Sequence, residues 1–355
     1  MQQELEDPAD NIRMLVESAS AVVPVDGSLD RVRAVRFQTP GFSRDIWATL
    51  ADMGWLGLRV GEAVGGLALG VREAIALSRV LGGGLVPEPY LGSLFALALL
   101  ERAGLGAEIG PVLAGGTIVL PAWQGRANAM NPLAGVEVSG GRLYGTKIAV
   151  GTGADQFAVT TPGGLVLVPC DAEGLTINQV AMHDGTFRAT LTFEAVACDI
   201  HSCDPIDPIL SEAMLIHAGY LQGAAEQAFD ITLEYLRTRQ QFGVAIGSFQ
   251  ALQHRATEIK VQLELTRAAI DAAATMMDHG GQPDQIRMNV LRARARSGSL
   301  ARRVARETVQ MHGAIGYTDE ADIGLFVRKL MVEAGQFAPE YRLRSQFMDL
   351  REAAA

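Results

Sequence analysis

The sequence predicts an α+β fold that is mostly helical, laid out in three successive parts: a helical domain over residues 1–117, a β domain over 118–204 and a helical bundle over 205–355. Three observations predict it. Apolar residues recur at intervals of three and four up to about residue 117 and again beyond 205, the period of helices that bury one stripe. Between those limits come short runs of β-branched and apolar residues separated by turn residues. After Asp204-Pro205, breaks fall only at 243–247, 280–283 and 313–316, which leaves four long helices joined by short loops, the makings of a bundle.

Bulk properties narrow the function classes. At 355 residues the chain has room for two or three domains with a large core, and its formal net charge of −10 argues against non-specific nucleic-acid binding. The opening Met1-Gln-Gln-Glu-Leu-Glu-Asp7 lacks the basic flank and apolar core of a signal peptide. No run of about eighteen apolar residues reads as a membrane span, so a cytoplasmic protein is expected. Cys170, Cys198 and Cys203 are odd in number and lack C-x-x-C spacing, which speaks against a disulfide framework or a metal centre.

In the first part, a helix is expected over Phe42–Met53, with Ser43 as its N-cap and Gly54 as its stop, followed by helices at 71–83, 91–103 and 106–114. Val86-Pro-Glu-Pro-Tyr90 is a rigid break, because two prolines fix φ and remove donors. Strands are expected at 117–120, 135–138, 142–144, 164–168 and 189–193, with Gly140-Gly141 turning a hairpin. The final helices are expected near 209–237, 248–279, 284–312 and 319–350. The third carries Arg287, Arg292, Arg294, Arg296, Arg302, Arg303 and Arg306. Without interleaved aromatics, and in an acidic chain, this row reads as a solvated or subunit-interface face rather than a nucleic-acid surface.

Between the first two of these helices lies a polar turn, Arg239-Gln-Gln-Phe-Gly243. An arginine beside an aromatic can hold a phosphate by its fork while the ring covers a stacked group. This turn, continuing to Ser248-Phe-Gln-Ala-Leu-Gln253, resembles the signature of the acyl-CoA dehydrogenase family of flavoenzymes. Two further stretches agree in family order. Gln310-Met-His-Gly-Ala-Ile-Gly-Tyr-Thr318 is similar to Q-x-x-G-G-x-G-[YF], and Trp47-Ala-Thr-Leu-Ala-Asp-Met-Gly-Trp-Leu-Gly57 is followed by Glu62 and Gly65-Gly66. Leu143-Tyr-Gly-Thr-Lys147 resembles the family's L-x-G-x-K strand.

The resemblance implies an N-terminal helical domain, a middle β-barrel and a C-terminal four-helix bundle. It also implies α,β-dehydrogenation of an acyl-CoA thioester with FAD. In that reaction a carboxylate takes the α-proton, the flavin takes the β-hydrogen, and an electron-transfer flavoprotein is the expected acceptor. Each family subunit makes two sets of FAD contacts. The set that reaches a neighbour's cofactor maps onto Arg239, Gln241, Phe242, Gln310 and Gly313, with Gln250 as an addition. By the resemblance Arg239 meets the pyrophosphate, Phe242 covers the adenosine side and Gln310 lies near the adenine. Ala314 replaces the second glycine of the later motif.

The set that holds a chain's own flavin ring departs from the family. Leu120-Pro-Ala-Trp-Gln-Gly-Arg126 stands where T-E-P-x-x-G-S belongs. Ala149 and Gly151 stand where a large residue and a hydroxyl belong. Phe337 occupies the expected glutamate position, and the alternative base position on the first bundle helix is Ala213. The candidate catalytic bases that remain are Glu212, Glu340 and Glu333, each read more readily as a solvated helix-end charge.

Contacts to a neighbour are kept while contacts to the chain's own ring are lost. That asymmetry suits the degenerate subunit of a heteromeric acyl-CoA dehydrogenase, an α2β2 heterotetramer with a related catalytic subunit, of the kind acting on steroid side chains. Three other readings stay open on sequence. One is a self-sufficient homotetramer with a displaced glutamate, another a non-flavin assembly subunit, and the last a flavin monooxygenase on the same fold.

Overall fold

The computed structural model describes residues 8–127 and 129–353. The Met1–Asp7 stretch read for a targeting signal, and Ala354 and Ala355 of the alanine-rich end, lie outside the described residues. The fold is α+β, helical in its first and last parts with sheets between, as expected. The chain divides into two compact units. One comprises the residues up to Val22, Asp30–Ala74 and Pro87–Met214; the other comprises Val23–Leu29, Ile75–Val86 and everything from Leu215.

In the first unit, helices α1 (Pro8–Ser18), α2 (Asp30–Val35) and α3 (Arg44–Asp52) precede α4 (Val71–Gly83), whose first turn belongs here. Helices α5 (Tyr90–Arg102) and α6 (Gly106–Leu113) follow. The Ser43 hydroxyl caps α3 by accepting from the Ile46 amide at 3.4 Å, and Gly54 turns the chain at φ +71°. Trp47, Leu50, Trp55, Leu56 and Leu58 form a buried core, so the apolar period of this stretch is the inward face of its helices.

The sheet region runs from β1 (Val119–Ala122) through β2 (Val136–Ser139), β3 (Arg142–Gly151), β4 (Gln156–Thr161), β5 (Gly164–Pro169) and β6 (Leu175–Ala181) to β7 (Phe187–Ala197). Two sheets result, ordered β1-β4-β5 and β2-β3-β7-β6. Ser139 pairs with Arg142 across Gly140 (φ +57°) and Gly141 (φ +71°), the two left-handed residues that a two-residue hairpin requires. Strands β4 and β6 are absent from the sequence expectation. Most of β4 is buried, which erases the two-residue alternation, and β6 is an edge strand with mostly exposed residues.

The second unit takes the rest of α4, then α7 (Asp207–Thr238, mostly here), the short hairpin β8 (Gln240–Gln241) and β9 (Val244–Ala245), α8 (Gln250–Asp278) and α9 (Pro283–His312). The helix expected over 319–350 is instead two, α10 (Ile323–Glu333) and α11 (Glu340–Ala353). Pro339 has no amide to continue a helix, and Phe337 sits at φ +67°, outside the helical region. The basic row on α9 also needs correcting. Arg294 is fully buried, and its guanidinium donates to the carbonyls of Glu333 (3.1 Å), Ala334 (3.4 Å) and Gln336 (2.8 Å), capping the end of α10. Arg302 and Arg303 pair with Glu340 and Glu258, so much of this row is internal to the unit.

Candidate functional site

Helix α7 ends where its backbone turns into the β8–β9 hairpin, with Gln241 paired to Val244. The two turn residues are Phe242 (φ +53°) and Gly243 (φ +78°). Glycine takes this conformation freely, but a phenylalanine there costs about 1–3 kcal/mol. The Phe242 side chain is 91% exposed, with the edge of Phe249 at 6.1 Å between ring centroids. Arg239 is exposed one residue before the hairpin, and its guanidinium meets no hydrogen-bond or ion-pair partner among the described residues. Gln241 is exposed and turns its amide onto the Gln240 carbonyl at 2.8 Å. Gln250, also exposed, opens α8.

The later motif closes α9 at the same end of the unit. The Tyr235 ring in the last turns of α7 stacks on His312 at 4.4 Å, and its hydroxyl donates to the His312 carbonyl at 3.3 Å. Arg255, near the start of α8, pairs with Glu307 of α9 at 2.6 Å. These contacts gather Arg239, Gln241, Phe242 and Gln250 with Gln310, exposed in the last turn of α9, and Gly313, its C-terminal cap at φ +68°. Ala314 is exposed. Burial pushes the His312 imidazolium below its ordinary range, and its Nδ1–H donates to the Thr308 carbonyl at 2.8 Å. Two exposed residues join this end that have no separate place in the sequence expectation, Ile315 and Tyr317, the latter 79% exposed. Their signal is the motif itself, in which Met311 is buried while Ile315 and Tyr317 face outward.

The candidate bases are not brought together. Glu212, in the first unit, takes the Arg59 fork on both oxygens, at 2.7 and 2.9 Å, while Arg59 also donates to the Leu69 carbonyl. Glu340 opens α11 after Pro339, as a first-turn acid should, and pairs with Arg302 and Arg344. Glu333 corrects the expectation of a solvated charge. It is buried, its carboxylate lies 2.9 Å from His217 Nε2 and 4.0 Å from Lys329 Nζ, and its carbonyl is one of those Arg294 caps. Phe337, where the sequence resemblance led to an expected glutamate, sets its edge against the His217 ring at 5.4 Å. No candidate acid therefore stands as a lone carboxylate ready to accept a proton.

The segment after β1, expected from the resemblance to lie beside a flavin ring, makes contacts within its own chain. The side-chain amide of Gln124 donates to the Ala129 carbonyl at 3.2 Å, and its backbone carbonyl accepts from the Ile148 amide at 2.8 Å. Ala149 (φ +57°) lies at a register shift in β3, and a side-chain carbon on Gly151 would come within 2.9 Å of Leu120. The bundle end thus fits the phosphate and adenosine part of a dinucleotide, having a free guanidinium, an uncovered ring and amides. The segment Leu120–Arg126 presents one exposed guanidinium, Arg126, and no aromatic uncovered beside it. Among the described residues no cluster of three or more metal-ligating side chains occurs, and no helix is long and apolar enough to cross a membrane. A cavity of about 380 Å³ in the second unit, beside Arg79, Glu226 and Asp230, contains none of these positions.

Comparison with known proteins gives matches over most of the chain. The family "Acyl-CoA dehydrogenase, N-terminal domain" matches residues 10–104, and "Acyl-CoA dehydrogenase, C-terminal domain" matches residues 209–334. The acyl-CoA dehydrogenase IpdE2 of Mycobacterium tuberculosis is 29% identical over 328 residues, 91% of each chain. Among solved structures, a variant of the Tcur3481-Tcur3483 steroid ACAD is similar at a TM-score of 0.89 and 26% identity, covering 98% of this chain and all of that one. The ChsE4-ChsE5 complex from Mycobacterium tuberculosis is similar at a TM-score of 0.85 and 25% identity, covering 99% of both chains.

Proposed function

The chain belongs to the acyl-CoA dehydrogenase family of oxidoreductases, and from that premise we propose that it is the non-catalytic subunit of a heteromeric, FAD-dependent acyl-CoA dehydrogenase. One contrast carries this reading. The residues suited to hold a neighbour's FAD stand exposed at the bundle end, while every candidate base is paired internally. In the complex Arg239 holds the pyrophosphate, Phe242 covers the adenosine side, and Gln241, Gln250, Gln310 and Gly313 complete the cradle. FAD supplies the acceptor for the substrate's β-hydrogen, and the partner subunit supplies the carboxylate and the ring pocket. The assembly is an α2β2 heterotetramer in the cytoplasm, passing its electrons to an electron-transfer flavoprotein. Its substrate is a bulky acyl-CoA such as a steroid side-chain thioester, since half the number of active sites leaves room for a large acyl group. The names of the Tcur3481-Tcur3483 steroid ACAD and of the ChsE4-ChsE5 complex support the paired and steroid parts of this reading.

The test is the visible flavin spectrum of the chain purified alone and after co-expression with an intact acyl-CoA dehydrogenase subunit encoded beside it. The expected result is a colourless lone chain and a yellow stoichiometric complex that bleaches with acyl-CoA. A lone chain that is yellow and bleaches by itself would overturn the proposal in favour of a self-sufficient homotetramer.

A further inference from the structure

His312 is a buried polar side chain to which the function proposed above gives no task. It is 7% exposed and closes α9 between Gln310 and Gly313. Its ring is held on several sides. The Tyr235 ring lies against one face, 4.4 Å between centroids and 21° between planes. The Tyr235 hydroxyl donates to the His312 carbonyl at 3.3 Å, and the Tyr235 carbonyl accepts from the Arg239 amide at 2.9 Å. One chain of contacts thus runs from the arginine turn through Tyr235 to His312. The turn after α9 folds back over the same residue. A side-chain carbon on Gly316 would come within 3.2 Å of His312 Cβ, so a glycine lets that turn close.

The bond from Nδ1 to the Thr308 carbonyl, 2.8 Å long, settles the chemistry of the other ring nitrogen. A carbonyl only accepts, so Nδ1 carries the ring proton. Burial disfavours a second proton and holds the imidazole neutral to below its ordinary range. Nε2 is then an acceptor with its lone pair free. It has no hydrogen-bond partner among the described residues and is not sealed from solvent. A ring that is more than nine-tenths buried, oriented by a stack and a tied nitrogen, therefore presents one unfilled acceptor. It does so where Gln310, Gly313 and Ala314 are exposed. Among the described residues no metal-ligating cluster surrounds it, so the acceptor calls for an N–H or O–H donor. The adenosine end of a dinucleotide brings one, the exocyclic amine of adenine.

We propose that His312 Nε2 accepts a hydrogen bond from the exocyclic amine of adenine, so that this chain selects the base of the FAD its partner uses. The free, oriented acceptor stands on the geometry; the identity of its ligand rests on the shared-site reading.

The experiment measures binding to the flavin-stripped complex of FAD and of its hypoxanthine counterpart, in which an oxygen replaces the amine. Wild type should favour FAD about tenfold, because the oxygen leaves Nε2 unfilled and facing a second acceptor. His312→Phe keeps a flat ring against Tyr235 but has no acceptor, and should bind the two dinucleotides within about twofold of each other. A structural role alone would weaken both alike and leave their ratio unmoved. Equal affinities in wild type, or a preference that His312→Phe retains, overturn the contact. The shared site then still stands if Arg239→Ala weakens both dinucleotides. Binding that Arg239→Ala leaves unchanged counts against the shared site, and a ratio that depends on His312 then still supports the contact. If His312→Phe fails to fold, the crystal structure of the FAD-bound wild-type complex decides. An amine nitrogen about 2.7–3.2 Å from Nε2 supports the contact, and one beyond hydrogen-bond reach overturns it.

Discussion

The bundle end around Arg239 and the break between α10 and α11 belong to the same unit, yet they treat polar groups in opposite ways. At the bundle end a guanidinium has no partner among the described residues, a strained phenylalanine is uncovered, and three glutamines face outward. At the break, Glu333 is enclosed between His217 and Lys329, and Arg294 is fully buried on three carbonyls. A guanidinium left open beside an uncovered phenylalanine at positive φ is what the shared-site proposal needs another molecule to complete. A polar group that folding encloses among partners belongs to the architecture, and removing it deprives those partners of a charge they were buried with.

That difference is breakable by mutation. The largest effect should come from Glu333→Ala, which removes the buried acid that faces both His217 and Lys329 and should cost about 3–5 kcal/mol in denaturant unfolding. Flavin uptake by the protein that remains folded should not change. Arg239→Ala should do the reverse. Loss of a bidentate charged contact should weaken flavin retention by the complex about ten- to a hundredfold, with the melting temperature of the lone chain unmoved. A drop in stability without flavin loss would erase the contrast between the two regions.

A smaller effect is expected from pH at Lys147, where burial pushes the amino group from its ordinary 10.5 down to about 7. Between those values the unfolded chain binds the proton and the folded chain does not. Stability should therefore rise with pH across that window, by at most about 1.4 kcal/mol per unit, and below 7 the full cost of burying the charge is present. Lys147→Met should flatten this slope in unfolding curves taken from about pH 7 to 9. Smallest of all should be Glu212→Gln. Its pair with Arg59 is partly exposed, so the loss should be about 1 kcal/mol or less, with turnover of the complex intact. A collapse of turnover would restore Glu212 as a base.

Much of this is legible along the chain. The arginine turn, the Gln310–Thr318 motif and the change of period near 117 and 205 are local patterns, and local patterns survive being read one residue at a time. The burial of Arg294 and Glu333 is not legible, because an arginine in a basic row and a glutamate at a helix end look solvated unless the packing elements are known. Strand β4 escapes for a related reason: flanked by β1 and β5, it is buried nearly throughout and shows no alternation.

Sequence alone was enough for the fold class and the family resemblance, since each depends on which residue follows which. Only the tertiary structure could decide that Glu212, Glu333 and Glu340 are already paired and that Lys147 is buried against the Pro132 carbonyl. The physical reason is that charge and hydrogen bonding act through space over a few ångströms, between residues that the chain separates by as many as 153 positions.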